Sequence, residues 1–174
     1  GCQRGNISLY RKTKTKMEKQ IMSNIESILR DSKTIAMIGV SSMKKGEDPK
    51  NLKRKPSNIV MKYMQDFGYK VIPINPFAKG EIIHGEKVIG DLKEIETKID
   101  IVDVFRPSPE TPEIAKQAAE IGAKTLWLQY GIQHEEAKKI ASDNKMNYFE
   151  NLCIKQEYQK IFEKMNPVFP VLKK

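Results

Sequence analysis

The sequence predicts an α/β fold with three layers, in which helices cover both faces of a parallel sheet. Short apolar runs, typical of buried strands, alternate with amphipathic segments roughly every 25 residues along the chain. That alternation is typical of strand–helix–strand units with parallel strands. A length of 174 residues and a hydrophobic content of 39% fit one domain with a substantial core.

Five apolar runs are predicted strands, and the amphipathic segments around them are predicted helices. The strands fall at residues 34–40, 70–74, 99–105, 124–128 and 147–149. The helices, whose apolar residues recur at three- and four-residue spacing, fall at residues 17–32, 57–67, 108–121, 133–144 and 156–165. Weaker patterns predict a small edge element at 82–88 and one helical turn at 91–95.

Residues 1–16 show no hydrophobic period, and we expect a disordered basic tail there. Their composition, basic and almost free of acids, is also typical of a cleaved targeting segment. Residues 17–174 are predicted to form a single domain. We expect a cytoplasmic protein, or one of an organellar matrix if the tail is a targeting segment.

The composition excludes several classes of protein. No apolar run approaches the ~20 residues of a membrane-spanning helix, so no membrane partner is expected. Cys2 and Cys153 are too few for a disulfide scaffold, which favours a reducing compartment. No cysteine–histidine cluster has the spacing of a zinc site, so no metal is expected.

The net charge of +9 is confined to two segments of the chain. Residues 1–33 carry +5, residues 44–55 carry +4, and the remainder is neutral. A genome-binding domain spreads its basic residues over folded elements, so this distribution disfavours nucleic acid as a partner. A basic loop fits the neighbourhood of a small-molecule phosphate site, although a solvated charge run is the simpler interpretation for most of its residues individually.

Glycine and polar residues follow the predicted strands, at the edge where open parallel sheets bind ligands. They are Gly39, Val40, Ser41 and Ser42 after the first strand, Asn75 and Pro76 after the second, Arg106, Pro107 and Ser108 after the third, and Gln129, Tyr130 and Gly131 after the fourth. Gly39 lets the backbone approach an anion, and the two serines supply donors. Ser57 is the predicted N-cap of the next helix, at the positive end of its dipole. The alternative interpretation is that Gly39 and the serines simply form a tight turn.

The motifs of two large nucleotide-binding groups are missing. The G-x-G-x-x-G dinucleotide fingerprint and the Walker lysine motif are both absent. Asn75 stands where an NAD enzyme has a ribose-binding acid, which disfavours an oxidoreductase. If the protein is an oxidoreductase, NADP is a better candidate than NAD, because Lys53, Arg54 and Lys55 carry positive charge that suits a 2′-phosphate.

Two side chains at the strand ends suit a ligand with phosphate and amide groups. Arg106 is the only arginine after residue 56, and its guanidinium suits a phosphate or a carboxylate. A neighbouring aspartate is its alternative partner. Gln129 suits an amide or an adenine edge, or else it caps the loop that follows.

Groups able to perform catalysis are few, so we expect no enzyme. Neither His84 nor His134 pairs with a nucleophile in the sequence. Cys153 is expected to be a buried, inert thiol. Asp100 and Asp103 are expected to cap or pair rather than to act as general acid and base.

Five collinear segments carry a resemblance to a known family. They are TIAMIGVSS at 34–42, KPSNIVMKYMQDFGYKVIPINP at 55–76, IDIVDVFRPS at 99–108, GAKTLWLQYGI at 122–132 and CIKQEY at 153–158. Through them the chain resembles the single-domain CoA-binding proteins, which are similar to the CoA-binding N-terminal domain of the succinyl-CoA synthetase alpha subunit. The resemblance covers residues 25–162 and implies a Rossmann-like fold that binds coenzyme A or an acyl-CoA at the strand ends.

The resemblance also implies a set of ligand-binding residues. They are Gly39, Val40, Ser41, Ser42, Lys55, Ser57, Asn58, Asn75, Pro76, Phe105, Arg106, Gln129 and Gly131. The first four match a phosphate loop, and the last two match the loop that lines the pantetheine side. Neither histidine lies in a segment matching the synthetase's catalytic histidine, so the resemblance implies binding without ligase chemistry.

Two departures from the family and two other functions remain open. The loop 43–54 is longer and more basic than is usual in the family, and residues 1–16 have no counterpart in it. The alternative functions are an NADP-dependent oxidoreductase and an interaction module that uses the basic tail. A protein partner or a homodimer also stays open, through the N-terminal or the C-terminal helix.

Overall fold

The computed structural model describes residues 2–44 and 55–163, and the side chains of residues 16–44 and 55–162. Most of the basic loop, including Lys53 and Arg54, lies outside the described residues, as does the predicted helix end at 165. The chain divides into two compact units, residues 1–31 with 157–174 and residues 32–156. A single domain over 17–174 stays a prediction.

All five predicted strands are present and form one parallel sheet. In chain order the strands are β1 (Thr34–Ile38), β2 (Lys70–Ile74), β3 (Ile82–Ile83), β4 (Glu86–Lys87), β5 (Ile101–Val104), β6 (Thr125–Leu128) and β7 (Asn147–Phe149). The sheet has the order β2-β1-β5-β6-β7, and β3 pairs with β4 in a separate antiparallel ribbon. Each neighbouring pair in the sheet is parallel, so the predicted Rossmann-like α/β fold is confirmed.

Among the described residues, one α-helix precedes the first strand of the sheet, three connect successive strands along the chain, and one follows the last strand. They are α1 (Cys2–Asp31), α2 (Pro56–Asp66), α3 (Thr111–Glu120), α4 (Glu135–Asp143) and α5 (Ile154–Tyr158). A π-helical turn (Gln159–Glu163) follows α5. Single 3-10 turns occupy Pro76–Ala78, Leu92–Glu94 and Ser108–Glu110. The predicted turn at 91–95 is therefore present, with the Asp91 side chain accepting a hydrogen bond from the Lys93 amide at 2.9 Å.

Helix α1 begins at Cys2, so its backbone includes residues 2–16, and the disorder expected for this tail stays a prediction. The tail lacks an apolar stripe, the signal from which a helix is predicted. It also lacks proline, however, and its lysines and arginines are favourable helix formers. Within the smaller unit, Ile25 and Leu29 are buried, and the Arg30 guanidinium lies 5.2 Å from the centre of the Phe162 ring.

The sheet of the larger unit is buried on both faces. On one face, alternate strand residues such as Ala36, Val102 and Leu126 pack in one apolar cluster with Ile114 of α3 and Ala137 of α4. The crossover from β1 to β2 runs in the opposite direction along the sheet from the crossover from β5 to β6. Because such crossovers are right-handed, α2 lies on the other face from α3.

Two aspartates near β5 have opposite environments. The Asp100 carboxylate accepts hydrogen bonds from the amides of Lys33 and Thr34 at 2.8 and 3.2 Å, which fits the predicted capping role. Asp103 is fully buried, and neither of its carboxylate oxygens makes a good hydrogen bond within the described part of the chain. Burial raises the pKa of the Asp103 carboxyl well above its ordinary value, although the Val104 amide opposes this shift. The prediction that Asp103 caps or pairs is therefore wrong, because its position faces the apolar interior.

Candidate functional site

The candidate site lies at the carboxyl ends of β1 and β5, which are neighbours in the sheet. Chain connections leave this pair of strands in opposite directions, so an open crevice forms between the segments that follow them. Gly39 follows β1, and Phe105 and Arg106 follow β5. All three are among the residues that the resemblance implies.

Gly39 allows the two strand ends to approach each other. Its φ is +91°, and a Cβ atom built on it would lie 2.5 Å from the Phe105 carbonyl oxygen and 2.9 Å from Arg106 Cδ. Any side chain larger than hydrogen would therefore displace the backbone of the β5 end. The Gly39 amide donates to the Ile74 carbonyl at 2.8 Å, which fixes the turn against β2 as well.

Asn75 joins the turns after β1 and β2. Its Nδ2 donates to the Val40 carbonyl at 2.9 Å, and its Oδ1 accepts from the Phe77 amide at 2.9 Å. Both ends of the carboxamide thus hold the protein backbone. Pro76 begins the 3-10 turn that Asn75 caps, so both residues shape the wall of the crevice.

Ser57 and Asn58 form hydrogen bonds to the turn that follows β1. Both are buried, and the Ser57 hydroxyl accepts from the Ser41 amide at 3.0 Å. Asn58 Nδ2 donates to the Ser41 carbonyl at 2.9 Å. The prediction that Ser57 is the N-cap of this helix is wrong, because α2 begins at Pro56 and its N-cap is Lys55. The reason is that proline is preferred at the first helical position, which leaves the serine inside the first turn.

Ser42 and Lys55 connect the two described ends of the basic loop. The Lys55 ammonium donates to the Ser42 carbonyl, and the Ser42 hydroxyl accepts from the Lys44 amide at 3.1 Å. Lys55 therefore places a positive charge beside the serine turn. The other basic residues predicted for this loop lie outside the described residues, except Lys44, whose side chain is exposed.

Arg106 forms a two-pronged ion pair with Glu110. Its Nε donates to Glu110 Oε1 at 3.1 Å, and its terminal nitrogen donates to Oε2 at 2.8 Å. The side chains are 40% and 47% exposed, so solvent screens the pair and a ligand anion can compete for the guanidinium. The alternative partner expected from the sequence was an aspartate, and the observed one is a glutamate.

Gln129 and Gly131 lie at the end of β6. Gln129 is only 4% exposed, and its Oε1 accepts from the Ile154 amide at 3.1 Å. Its side chain therefore caps the first residue of α5, and not the loop that follows Gln129. Gly131 has a φ of +85°, and its amide donates to Asn151 Oδ1 at 2.7 Å.

Two cavities open on either side of Arg106. One, here called the β2-side cavity, has a volume of about 360 Å³ and lies among Gly39, Asn75, Leu92 and Ile114. Three carboxyl groups also line it, those of Asp91, Glu110 and Glu113. Arg106 lines this cavity as well, so one cation faces three acids there.

The second cavity, here called the β6-side cavity, has a volume of about 670 Å³. Phe105, Arg106 and Gln129 line it, together with Cys153 and the exposed Tyr130. Both volumes fall in or near the range of about 300–1,000 Å³ typical of small-molecule sites. The lining of the second cavity is mostly apolar, with Gln129 and Gln156 as its amide groups.

Several groups that the sequence singled out lie away from this crevice or are engaged in the fold. His134 caps α4 by accepting from the Glu136 amide at 3.1 Å, and His84 Nε2 lies 3.1 Å from the Asn58 carbonyl. Among the residues whose side chains are described, no group of three histidines, cysteines or acids is placed to hold a metal ion. Within residues 2–44 and 55–163, no helix combines the length and the apolar character needed to cross a membrane.

Sequence reasoning missed two side chains at the crevice. Glu110 was not predicted to hold Arg106, although a separation of four residues is a known signal for such pairs. Cys153 was expected to be buried, whereas it is half-buried, free and part of the β6-side cavity lining. Nothing in the sequence places residue 153 near residues 105–107, because they are joined only through the sheet.

A doubly wound parallel sheet with a two-part crevice at its switch point defines a small-molecule-binding protein of the Rossmann-like class. More particularly, the chain belongs to the CoA binding domain family, whose pattern matches residues 33–159. It is similar to the uncharacterized protein YneT of Bacillus subtilis (strain 168), with 36% identity over 139 residues that cover 80% of this chain and 95% of the relative.

Solved structures show the same fold. A Thermus thermophilus protein described as cell-free ID.343 has a TM-score of 0.72 and 28% identity, covering 81% of this chain and 98% of its own. A hypothetical protein from Pyrococcus horikoshii OT3 has a TM-score of 0.70 and 33% identity, covering 80% and 91%. The family resemblance predicted from the five segments is thereby confirmed.

Proposed function

We propose that the chain binds coenzyme A or an acyl-CoA across the two cavities, as a binding protein without catalytic groups of its own. The observation that carries this proposal is that Arg106 lines both cavities. Coenzyme A has a nucleotide end and a pantetheine arm joined by a diphosphate, so a cation between two compartments matches its charge distribution.

The charges favour one orientation of the ligand. Asp91, Glu110 and Glu113 in the β2-side cavity disfavour the phosphates of coenzyme A, including the one on its ribose, and suit an adenine amine. The diphosphate then lies near Arg106 and the turn of Gly39 to Ser42, with Lys55 close to that turn. The mostly apolar β6-side cavity receives the pantetheine arm.

The absence of catalysis is part of the same proposal. His134 is used as a helix cap, and His84 lies against the Asn58 carbonyl. Asp103 is buried in the sheet and does not line either of the cavities described above. The groups left at the crevice bind and orient a ligand, which supports a binding module.

Ligand-dependent thermal stability tests this proposal directly. A ligand present at 100 times its Kd adds about 2.7 kcal/mol to the free energy of unfolding, which raises Tm visibly. We expect CoA and acetyl-CoA to raise Tm at moderate salt, and ADP, NAD and NADP to raise it less. A rise with NADP and none with CoA would contradict the proposal and favour an oxidoreductase.

Arg106→Ala tests the role of the shared cation. Loss of a charge-assisted contact should weaken CoA binding by about 1.5–3 kcal/mol in titration calorimetry. Lys124→Ala is the matched control. Lys124 directly precedes β6, so it lies at the amino ends of the strands, away from the carboxyl ends that form the crevice. Equal affinities of the Arg106 variant and the parent would show that the guanidinium does not contact the ligand.

A further inference from the structure

The backbone around Cys153 is held in place by three hydrogen bonds. The Leu152 amide donates to the Leu128 carbonyl at 3.3 Å, and the Trp127 indole donates to the Leu152 carbonyl at 2.8 Å. On the other side, the Ile154 amide donates to Gln129 Oε1 at 3.1 Å. The thiol of Cys153 is free, half-buried and part of the β6-side cavity lining. The fold thus fixes one sulfur atom at the wall of a cavity.

Gln129 gives independent evidence that this cavity takes a polar ligand group. Gln129 is only 4% exposed, and it lines the same cavity as Cys153. Because Oε1 accepts from the Ile154 amide, the opposite end of the carboxamide is the NH₂ group. That group donates to no acceptor within the described part of the chain. This nitrogen is not one of the buried polar atoms that lack a partner, so it stays open to solvent at the cavity wall and is free to donate to a ligand carbonyl next to Cys153.

We propose that Cys153 is a thiol-modification site that forms a mixed disulfide with the sulfur of a CoA held in the β6-side cavity. The proposal rests on the proposed function, since the ligand must first occupy the crevice. The amide-rich arm of coenzyme A supplies carbonyls for Gln129 and ends in the sulfur that would meet Cys153. The co-reactant is a disulfide of coenzyme A, either symmetrical or with another small thiol.

The exchange balances without a further oxidant. The Cys153 thiol loses its proton to solvent, and its Sγ attacks the CoA sulfur of the disulfide. The old S–S bond breaks as the Cys153–CoA bond forms, and the second thiol leaves as a thiolate that takes up a proton. Binding through Arg106 raises the local concentration of the disulfide at Cys153, so the rate should saturate with ligand concentration.

The full chain provides its own comparison, because Cys2 and Cys153 are its two cysteines. The reduced protein is mixed with CoA disulfide or with glutathione disulfide at equal concentration and followed by intact-mass spectrometry and peptide mapping. We expect one CoA adduct on Cys153, formed about tenfold faster or more with CoA disulfide. Desulfo-CoA, which lacks the sulfur, should compete for the cavity and slow adduct formation by a similar factor. The adduct should disappear in Cys153→Ser and persist in Cys2→Ser.

Three outcomes would overturn the inference. Equal rates with glutathione disulfide, no competition by desulfo-CoA, or equal labelling of Cys2 would each show only an accessible thiol. Binding of desulfo-CoA to Cys153→Ser, measured by titration calorimetry, separates the two proposals. If desulfo-CoA binds and no adduct forms on the parent, the modification site is wrong and the proposed function stands. If desulfo-CoA does not bind, both are wrong.

Discussion

Replacing Gly39 with alanine tests the geometry on which the crevice depends. The new Cβ would lie 2.5 Å from the Phe105 carbonyl oxygen, and ordinary contacts of this kind begin at 3.4 Å. The added methyl must therefore push the β5 end away, and overpacking of this kind costs about 1–3 kcal/mol. The φ of +91° costs alanine roughly another 1–2 kcal/mol. Gly39→Ala should thus lower the free energy of unfolding by about 2–5 kcal/mol, measured by urea denaturation.

Gly68→Ala is the matched control for this substitution. Gly68 has a φ of +101°, and no heavy atom lies within 4 Å of the position its Cβ would take. It therefore carries the conformational cost alone, about 1–2 kcal/mol. Equal destabilisation by the two variants would refute the close approach of Gly39 to the Phe105 carbonyl and Arg106. Weakened CoA binding by Gly39→Ala, with Gly68→Ala unchanged, would connect that contact to the ligand.

Two further predictions concern carboxyl groups. The raised pKa of Asp103 means that the folded state holds its proton above the unfolded pKa of ~3.9, so stability falls by about 1.4 kcal/mol per pH unit until the folded pKa is reached. Asp103→Asn should remove that slope and raise Tm at neutral pH. As a control, Asp100→Asn weakens two hydrogen bonds to backbone amides and should lower Tm. A lower Tm for both variants would contradict the buried, unpaired state of Asp103. Glu110→Gln frees Arg106 from a half-exposed pair worth about 0–1 kcal/mol, so CoA affinity in titration calorimetry should rise by up to about fivefold. An unchanged or weaker affinity would show that Glu110 does not compete with the ligand.

The strands and the crevice edge were predictable because they depend on local patterns. Each of the five strands is an apolar run bounded by turn residues, and parallel pairing follows from their alternation with helices. Gly39 and Arg106 were found in the same way, since the ends of parallel strands meet at one edge. The helical backbone of residues 2–16 was not predicted, because propensity alone supports it and no apolar stripe marks it.

The details that were missed depend on contacts between distant segments. Asp100 and Asp103 look alike in the sequence, and only the register of β5 separates a partly buried cap from a fully buried acid. Ser57 looked like an N-cap, but its hydroxyl partner lies sixteen residues earlier, at Ser41. Gln129 likewise accepts from an amide 25 residues later, at the first residue of α5. Such pairings are set by tertiary structure, which one sequence does not display.

Trp127 has a spectroscopic consequence. It is the only tryptophan in the chain, it is fully buried, and its ring lies 5.0 Å from that of Phe149. Its indole N–H donates to the Leu152 carbonyl, directly before Cys153. Indole emission responds to its hydrogen bond and to nearby sulfur groups, so the chain carries a single indole fluorophore one residue away from the cavity-lining Cys153. Selective excitation of this indole therefore gives a label-free optical signal for what enters that cavity, in real time and at submicromolar protein concentration.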